Sequence, residues 1–238
     1  MPGPLHTEAV VLRSIRYGEA DRILHLYSSD RGRLSAIAKG SRRSGSRFGG
    51  RLEPFFRLKL DLHEGRSDLL TVTGAETVSA YPRLREDPDA ITTAAVGCDA
   101  VSRLFDSDEP HPEVFNLLCT FLAVLDGNPG QAGPALQVAF RLKLLLAAGL
   151  APQLRQCARC GAVEGITGFS PAAGGVVCLS CEAASFPLDE EAHRFLTEAL
   201  GTPLAELGEA SPKALRAAAR AVDETAEHHG HVRFRTAA

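Results

Sequence analysis

Four cysteines in two pairs, Cys157-Ala158-Arg159-Cys160 and Cys178-Leu179-Ser180-Cys181, with seventeen residues between the pairs, constrain this chain more than any other feature. Each CxxC knuckle presents two thiolates on a tight turn, and a segment of that length folds back as a hairpin, so both knuckles converge on one tetrahedral cation. Four thiolates leave no coordination position for water or substrate, which makes such a metal structural rather than catalytic. Gly161 after the first knuckle suits a turn with positive φ, and Val176-Val177 before the second suits the returning strand. We expect one structural zinc ion on Cys157, Cys160, Cys178 and Cys181. A rubredoxin-like iron, unligated thiols, or two disulfides in a secreted chain are the alternatives. Against disulfides stand two further cysteines, Cys98 and Cys119, and no recognisable signal segment.

A chain of 238 residues has room for two domains, and its 45% hydrophobic share is that of an ordinary globular protein. The net charge of −3 conceals an asymmetry. Residues 1–85 carry fifteen Lys/Arg against nine Asp/Glu, and residues 86–238 carry eleven against twenty. A basic first third is expected to meet a polyanion. The most apolar run, Ala135 to Leu150, is interrupted by Gln137, Arg141 and Lys143, which indicates a buried helix rather than a membrane span. Reduced cysteines without a targeting or spanning segment point to the cytoplasm.

Hydrophobic period divides the chain. Short apolar runs separated by turn signals place strands at Glu8–Tyr17, Arg22–Ser28, Arg33–Lys39, Phe55–His63 and Leu69–Tyr81, with an irregular stretch after the third. Five strands in that order predict a Greek-key barrel of the OB type over residues 1–85. In the fourth strand Phe56, Leu58, Leu60 and Leu62 fall on one face, and Phe55, Arg57, Lys59 and Asp61 on the other. From Asp89 the period is helical: Ile91–Phe105, Glu113–Leu125, Ala135–Ala148, Leu188–Leu200 and Pro212–Glu227, the last with Ser211 as N-cap and proline at N1. The expected architecture is therefore multidomain α+β: the barrel, then a helical domain over 86–238 with a zinc ribbon inserted at about 155–185. Within it, Cys98 and Cys119 are expected as buried apolar groups, and His228, His229 and His231 at the end of the last helix.

Catalytic signatures are absent. The dipeptide Gly-Lys never occurs, and there is no GxGxxG, GxSxG or HExxH. His111-Pro112-Glu113 with a downstream CxxC superficially matches a zinc nucleobase deaminase. That pattern wants proline before the first cysteine, where Gln156 stands, and it gives Cys178 and Cys181 no role. We therefore expect no enzyme. The polyanion signal concentrates in residues 39–51, where Lys39, Arg42, Arg43, Arg47 and Arg51 stand among glycines and serines with no acid. A loop of that composition has little core to contribute and can mould to a phosphate backbone. Arg57 and Lys59 would extend the track along the barrel, and Phe48 or Phe55 would stack a base.

Gly18-Glu19-Ala20-Asp21-Arg22-Ile23, Ala38-Lys39-Gly40-Ser41-Arg42-Arg43 and Leu52-Glu53-Pro54-Phe55 resemble the N-terminal signature of the RecO recombination mediators. The resemblance continues through Phe140-Arg141-Leu142, Gly149-Leu150-Ala151-Pro152, Cys157-Ala158-Arg159-Cys160-Gly161, Phe169-Ser170-Pro171 and Gly174-Gly175-Val176-Val177-Cys178. It implies an OB domain followed by a helical domain, with a four-cysteine zinc site in many members. It implies binding of single- and double-stranded DNA, annealing of complementary strands, and loading of RecA, with RecR, onto DNA coated by single-strand-binding protein. The helical domain would be the protein-docking surface, with Arg141 and Lys143 as exposed candidates. A generic OB and zinc-ribbon module that binds RNA is the competing expectation.

Overall fold

A computed structural model describes residues 4–65, 69–183 and 185–235. Contacts within the chain gather it into two compact units, residues 1–129 and 130–238.

The first unit begins with the expected barrel. Its strands are β1 (Pro4–Tyr17), β2 (Asp21–Ser28), β3 (Gly32–Ala38), β4 (Arg57–His63) and β5 (Leu70–Ser79), closed in the order β1-β2-β3-β5-β4. All neighbours are antiparallel except β3 and β5, which touch in parallel at Ala36–Leu70 and Ile37–Thr71. β1 serves two partners, running against β4 from Pro4 to Val10 and against β2 from Ala9 to Tyr17. A register shift between Val11 and Arg13 lets it change direction, which is how a long strand turns a barrel corner. The predicted alternation of β4 holds: Leu58, Leu60 and Leu62 lie in the barrel core with Leu24, Leu26 and Val72, and Lys59 and Asp61 face out.

Helices α1 (Pro88–Leu104) and α2 (Pro112–Gly127) complete this unit. Both start with proline in the first turn, where its missing N–H costs nothing, and the Asp87 carboxylate caps α1 through the Ala90 N–H at 2.8 Å. Gly97 of α1 lies under the Phe121 ring of α2, so the helices approach closely there. Cys98 and Cys119 are buried as expected, and burial pushes the Cys98 thiol up to about 12, which keeps it an inert apolar group. The Tyr27 ring packs on Phe105, whose edge meets His111 with centroids 5.1 Å apart.

The second unit holds α3 (Pro134–Ala147), a three-stranded sheet of β6 (Ile166–Ser170), β7 (Gly175–Cys178) and β8 (Phe186–Pro187), then α4 (Glu190–Gly201) and α5 (Pro212–Gly230). β6 is central in the sheet. Ser211 caps α5 as expected, accepting from the Ala214 N–H, and the Glu191 carboxylate in turn holds both the backbone N–H and the hydroxyl of Ser211. His228 and His229 occupy the last turn of α5, and His231 closes it in a left-handed conformation. One expectation fails here. Arg141 is not exposed: it is 4% accessible, donates to Asp223 at 3.1 Å and to the Arg235 carbonyl, and stacks on Phe234. A buried guanidinium beside a carboxylate is a packing element of the helices, so it is withdrawn as a docking residue. Lys143 is half-buried and donates to the Leu200 carbonyl at 3.0 Å.

The tight link between the β2–β3 hairpin and the α1–α2 connection gives a test. Gly32 has φ +55°, the Arg33 N–H donates to the Ser107 carbonyl at 2.9 Å, and a Cβ on Gly32 would run into the Glu109 carbonyl. Gly45 has φ +77° but open space around it. Gly32→Ala should therefore lower unfolding free energy by about 2–4 kcal/mol and Gly45→Ala by about 1 kcal/mol, read from urea denaturation midpoints.

Candidate nucleic-acid interface and metal centre

The loop between β3 and β4 is an ordered series of turns. N–H groups of Arg43, Ser46, Gly49 and Arg51 each donate three residues back, to Gly40, Arg43, Ser46 and Phe48, at 3.1–3.3 Å. Gly40, Gly45 and Gly49 all have positive φ, which explains the glycine content of a segment that keeps reversing direction. The loop is tied to the β1–β2 turn: Arg42 donates its N–H to the Ala20 carbonyl at 2.8 Å and its guanidinium to the Gly18 carbonyl, and the Gly40 N–H reaches the Asp21 carboxylate.

This order comes from a contact that the composition conceals. Phe48 and Leu52, each 2% accessible, belong to the barrel core. The expectation that the loop contributes little core is therefore corrected, and so is the role proposed for Phe48. Its ring packs among Leu and Val side chains, with the Arg47 guanidinium 4.9 Å from its centroid, and offers no free face to a base. Phe55 is likewise buried, at a left-handed φ of +75°, with its N–H bonded to the Val11 carbonyl. Burying Phe48 and Leu52 leaves the charged side chains outside: Lys39, Arg42, Arg43, Arg47 and Arg51 are all exposed.

The track does not run on along β4 as a free cationic surface. Arg57 is half-buried, ion-paired to Glu8 and stacked on Phe115. Lys59 is exposed, but its register partners on the two neighbouring strands are Glu8 and Glu76. Cations that the sequence-based reading passed over lie instead at the end of β1, where Arg13 and Arg16 are exposed and Tyr17 is 53% accessible beside the turn that holds Arg42. The sequence signal for them is weak, because the β-bulge after Val11 breaks the alternation that would assign their face.

In the second unit the four cysteines do converge. The sulfurs of Cys157, Cys160, Cys178 and Cys181 lie within 4.8 Å of one another, and Cys160 and Cys178 are 3.7 Å apart. A tetrahedron with metal–sulfur bonds of about 2.3 Å has edges of about 3.8 Å, so the cluster fits a single tetrahedral ion. Local backbone explains the convergence. The Cys157 N–H bonds the Ala162 carbonyl and the Gly161 N–H returns to Cys157, with Gly161 at φ +77°, while Cys178 ends β7 and Leu179–Cys181 form one tight helical turn. Burial opposes charge on Cys157, but N–H groups from Cys160, Cys178 and Arg159 outweigh it and hold the thiol down to about 6. His111 is not needed to complete this donor set; it starts α2 with its Nδ1 3.3 Å from Glu113.

Comparison with known proteins agrees with this architecture. The family model described as Recombination protein O N terminal matches residues 1–81, and Recombination protein O C terminal matches residues 85–237. The chain belongs to the RecO family. Among its relatives, the DNA repair protein RecO of Rubrobacter xylanophilus is 41% identical over 224 residues, covering 90% of this chain and 89% of that one. The RecO protein of Myxococcus xanthus is 37% identical over 220 residues, with 90% and 86% covered. That of Anaeromyxobacter sp. is 42% identical over 175 residues, with 72% and 68% covered. The RecO N-terminal match ends at the close of the barrel, whereas internal contacts place α1 and α2 with the barrel.

Two measurements separate packing from ligand roles. Phe48→Ala should cost about 3–5 kcal/mol of unfolding free energy, the value for truncating a core aromatic, whereas a base-stacking Phe48 would leave stability unchanged. Cys157→Ser should lower bound metal measured by mass spectrometry of the native protein, together with melting temperature, because the ribbon has only a small core around Cys157, Val177 and Cys178.

Proposed function

We propose that this protein is a recombination mediator in DNA repair. It holds single-stranded and double-stranded DNA by the phosphate backbone, anneals complementary strands and, with RecR, helps load RecA onto DNA coated by single-strand-binding protein. The observation that carries the DNA-binding part is the loop of five exposed cations on a rigid support, tied to the barrel through Phe48 and Leu52 and to the β1–β2 turn through Arg42. Membership of the RecO family supports the rest.

The work requires no bond-making chemistry. Cations that neutralise one strand remove the repulsion that keeps a second strand away, and pairing then proceeds on the bases themselves. We take the ion that the four cysteines would hold to be a structural zinc, which an all-thiolate tetrahedral donor set with no open position suits, and its part would be to hold the ribbon folded. No helix among the described residues is long and apolar enough to cross a membrane, consistent with work on DNA in the cytoplasm.

The test is annealing of complementary oligonucleotides already coated with single-strand-binding protein, with and without RecR. Wild type should accelerate pairing, and a variant with Lys39, Arg42 and Arg43 replaced by Ala should lose most of that acceleration. Each phosphate contact to a single strand contributes about −0.7 to the slope of log affinity against log salt, so the triple variant should flatten the slope by roughly 2 while keeping its melting temperature. An unchanged salt slope would remove the loop from the interface, and tight RNA binding without annealing would replace this function with that of an RNA-binding module.

A further inference from the structure

Among the described residues, three that are not glycine hold a left-handed backbone: Phe55 at φ +75°, Tyr81 at +47° and His231 at +53°. His231 closes α5, a common place for that conformation. The other two are aromatics, each only 6% accessible, at the two ends of the β4–β5 pair. Phe55 stands where the cationic loop runs into β4, and Tyr81 where the chain leaves β5. A left-handed backbone is unfavourable for a residue with a Cβ, so it persists only where the surroundings over-determine it.

One side chain holds both positions. Arg85, in the single helical turn Leu84–Glu86, donates its Nε–H to the Ala80 carbonyl at 2.7 Å and an Nη2–H to the Pro54 carbonyl. These carbonyls belong to the peptide bonds that lead into Tyr81 and Phe55, so one half-buried guanidinium fixes the peptide plane ahead of each left-handed residue. It also lies over the Phe56 ring, 4.1 Å from the centroid, and 6.0 Å from that of Phe55. The turn that carries Arg85 is fixed in its own right from the end of α2, where the Asp126 carboxylate accepts from the N–H groups of Arg83 and Leu84 at 2.8 and 3.1 Å. A line of bonds therefore runs from α2 through Arg85 to the point where the loop rejoins the barrel. Arg47 and Arg51 belong to that end of the loop, whereas Arg42 belongs to the end tied to the β1–β2 turn.

We propose that Arg85 is a positioning residue for nucleic-acid binding: touching no ligand itself, it latches the Pro54 and Ala80 carbonyls and so sets where Arg47 and Arg51 stand. The proposal rests on the reading of the cationic loop as a phosphate track. What Arg85 supplies is geometry rather than charge. Two carbonyls and the face of a ring around one planar fork are a set of partners that the single ammonium of a lysine does not satisfy. Without the latch Phe55 is free to leave its left-handed conformation, the loop loses its fixed exit, and binding bears the entropy of ordering Arg47 and Arg51.

Fluorescence anisotropy of the full-length protein with labelled oligothymidylate, repeated across a salt series, tests this. Arg85→Lys keeps the charge and should weaken binding about fivefold at every salt concentration, with the slope of log affinity against log salt unchanged because all five loop cations remain. Hydrogen exchange should quicken at the Arg51 and Phe55 N–H groups and stay at the wild-type rate between β1 and β2, whereas a purely structural arginine would quicken the whole barrel. Replacing Arg47 and Arg51 together by Ala should flatten the slope by about 1.4, and on that background Arg85→Lys should cost less than about twofold, since no cations are left there to place. Wild-type affinity in Arg85→Lys, or the same fivefold loss on that background, would overturn the latch. A flatter slope in Arg85→Gln with normal binding in Arg85→Lys would overturn it too, by making Arg85 a direct phosphate contact. If the Arg47 and Arg51 pair changes neither affinity nor slope, the track fails at this end and the latch with it; if the pair weakens binding and Arg85→Lys does not, the track stands and the latch alone fails. Should circular dichroism show Arg85→Lys unfolded, Asp126→Ala carries the test, because it frees the turn at Arg83 and Leu84 and leaves the guanidinium in place. Binding weakened about twofold with an unchanged slope supports the latch, and wild-type affinity overturns it.

Discussion

The core of the five-stranded barrel is completed by two side chains from a segment whose composition suggests nothing of the kind. Phe48 and Leu52 enter the core from the β3–β4 loop, and with about 1.5–3 kcal/mol available from burying each, they hold in place a segment otherwise made of glycine, serine and arginine. The placement of the five cations depends on that anchoring. Without it, a chain carrying Lys39, Arg42, Arg43, Arg47 and Arg51 would spread to separate its charges, and the entropy of ordering it on a ligand would count against binding. Anchored, the loop presents its cations outward with its backbone already ordered, so only side-chain freedom is left to lose on binding.

The ribbon solves a similar problem by other means. Its sheet has strands of five, four and two residues, far too few to bury a core of their own. The apolar contacts around Cys157, Val177 and Cys178 are small, so the four sulfurs must supply the cross-link. Both units thus contain a segment that its local sequence would leave loose, one pinned by apolar burial and the other gathered around four converging cysteine sulfurs that could hold one metal ion.

What the sequence disclosed and what it withheld follows from the range of the interactions concerned. Strand β4 was legible because its alternation is local, and α5 because Ser211 and Pro212 mark its start within two residues. The four cysteines were legible because ligand type and spacing are nearly sufficient for a tetrahedral site. Phe48, Phe55, Arg57 and Arg141 were misplaced for the opposite reason: each takes its environment from a partner far away in the chain. Phe48 lies in a core built by all five strands, Phe55 bonds Val11, Arg57 meets Glu8, and Arg141 meets Asp223 and Phe234. A basic residue next to a basic loop has no local sign that it is already paired.

The charge on the loop bears on why it sits where it does. Five like charges within thirteen residues repel one another, and nothing in the loop itself offsets that, since residues 39–51 contain no acid. The repulsion is tolerable because every one of these side chains is exposed, so water and salt screen it over about 8 Å at physiological ionic strength. Elsewhere on the same barrel two of the partly buried arginines are matched by carboxylates, Arg22 with Glu53 and Arg57 with Glu8, and a third, Arg33, donates to the Ser102 carbonyl. The distinction is informative. Partly buried cations of the fold have a carboxylate or a carbonyl beside them; in the loop the carboxylates are missing, and the positive potential is open to a polyanion. The remainder of the chain, with twenty acids against eleven basic residues beyond residue 85, has the opposite sign and disfavours the same ligand. Charge therefore directs a polyanion to the end of the barrel where the loop, the β1–β2 turn and Tyr17 are joined by the bonds of Arg42 and Gly40.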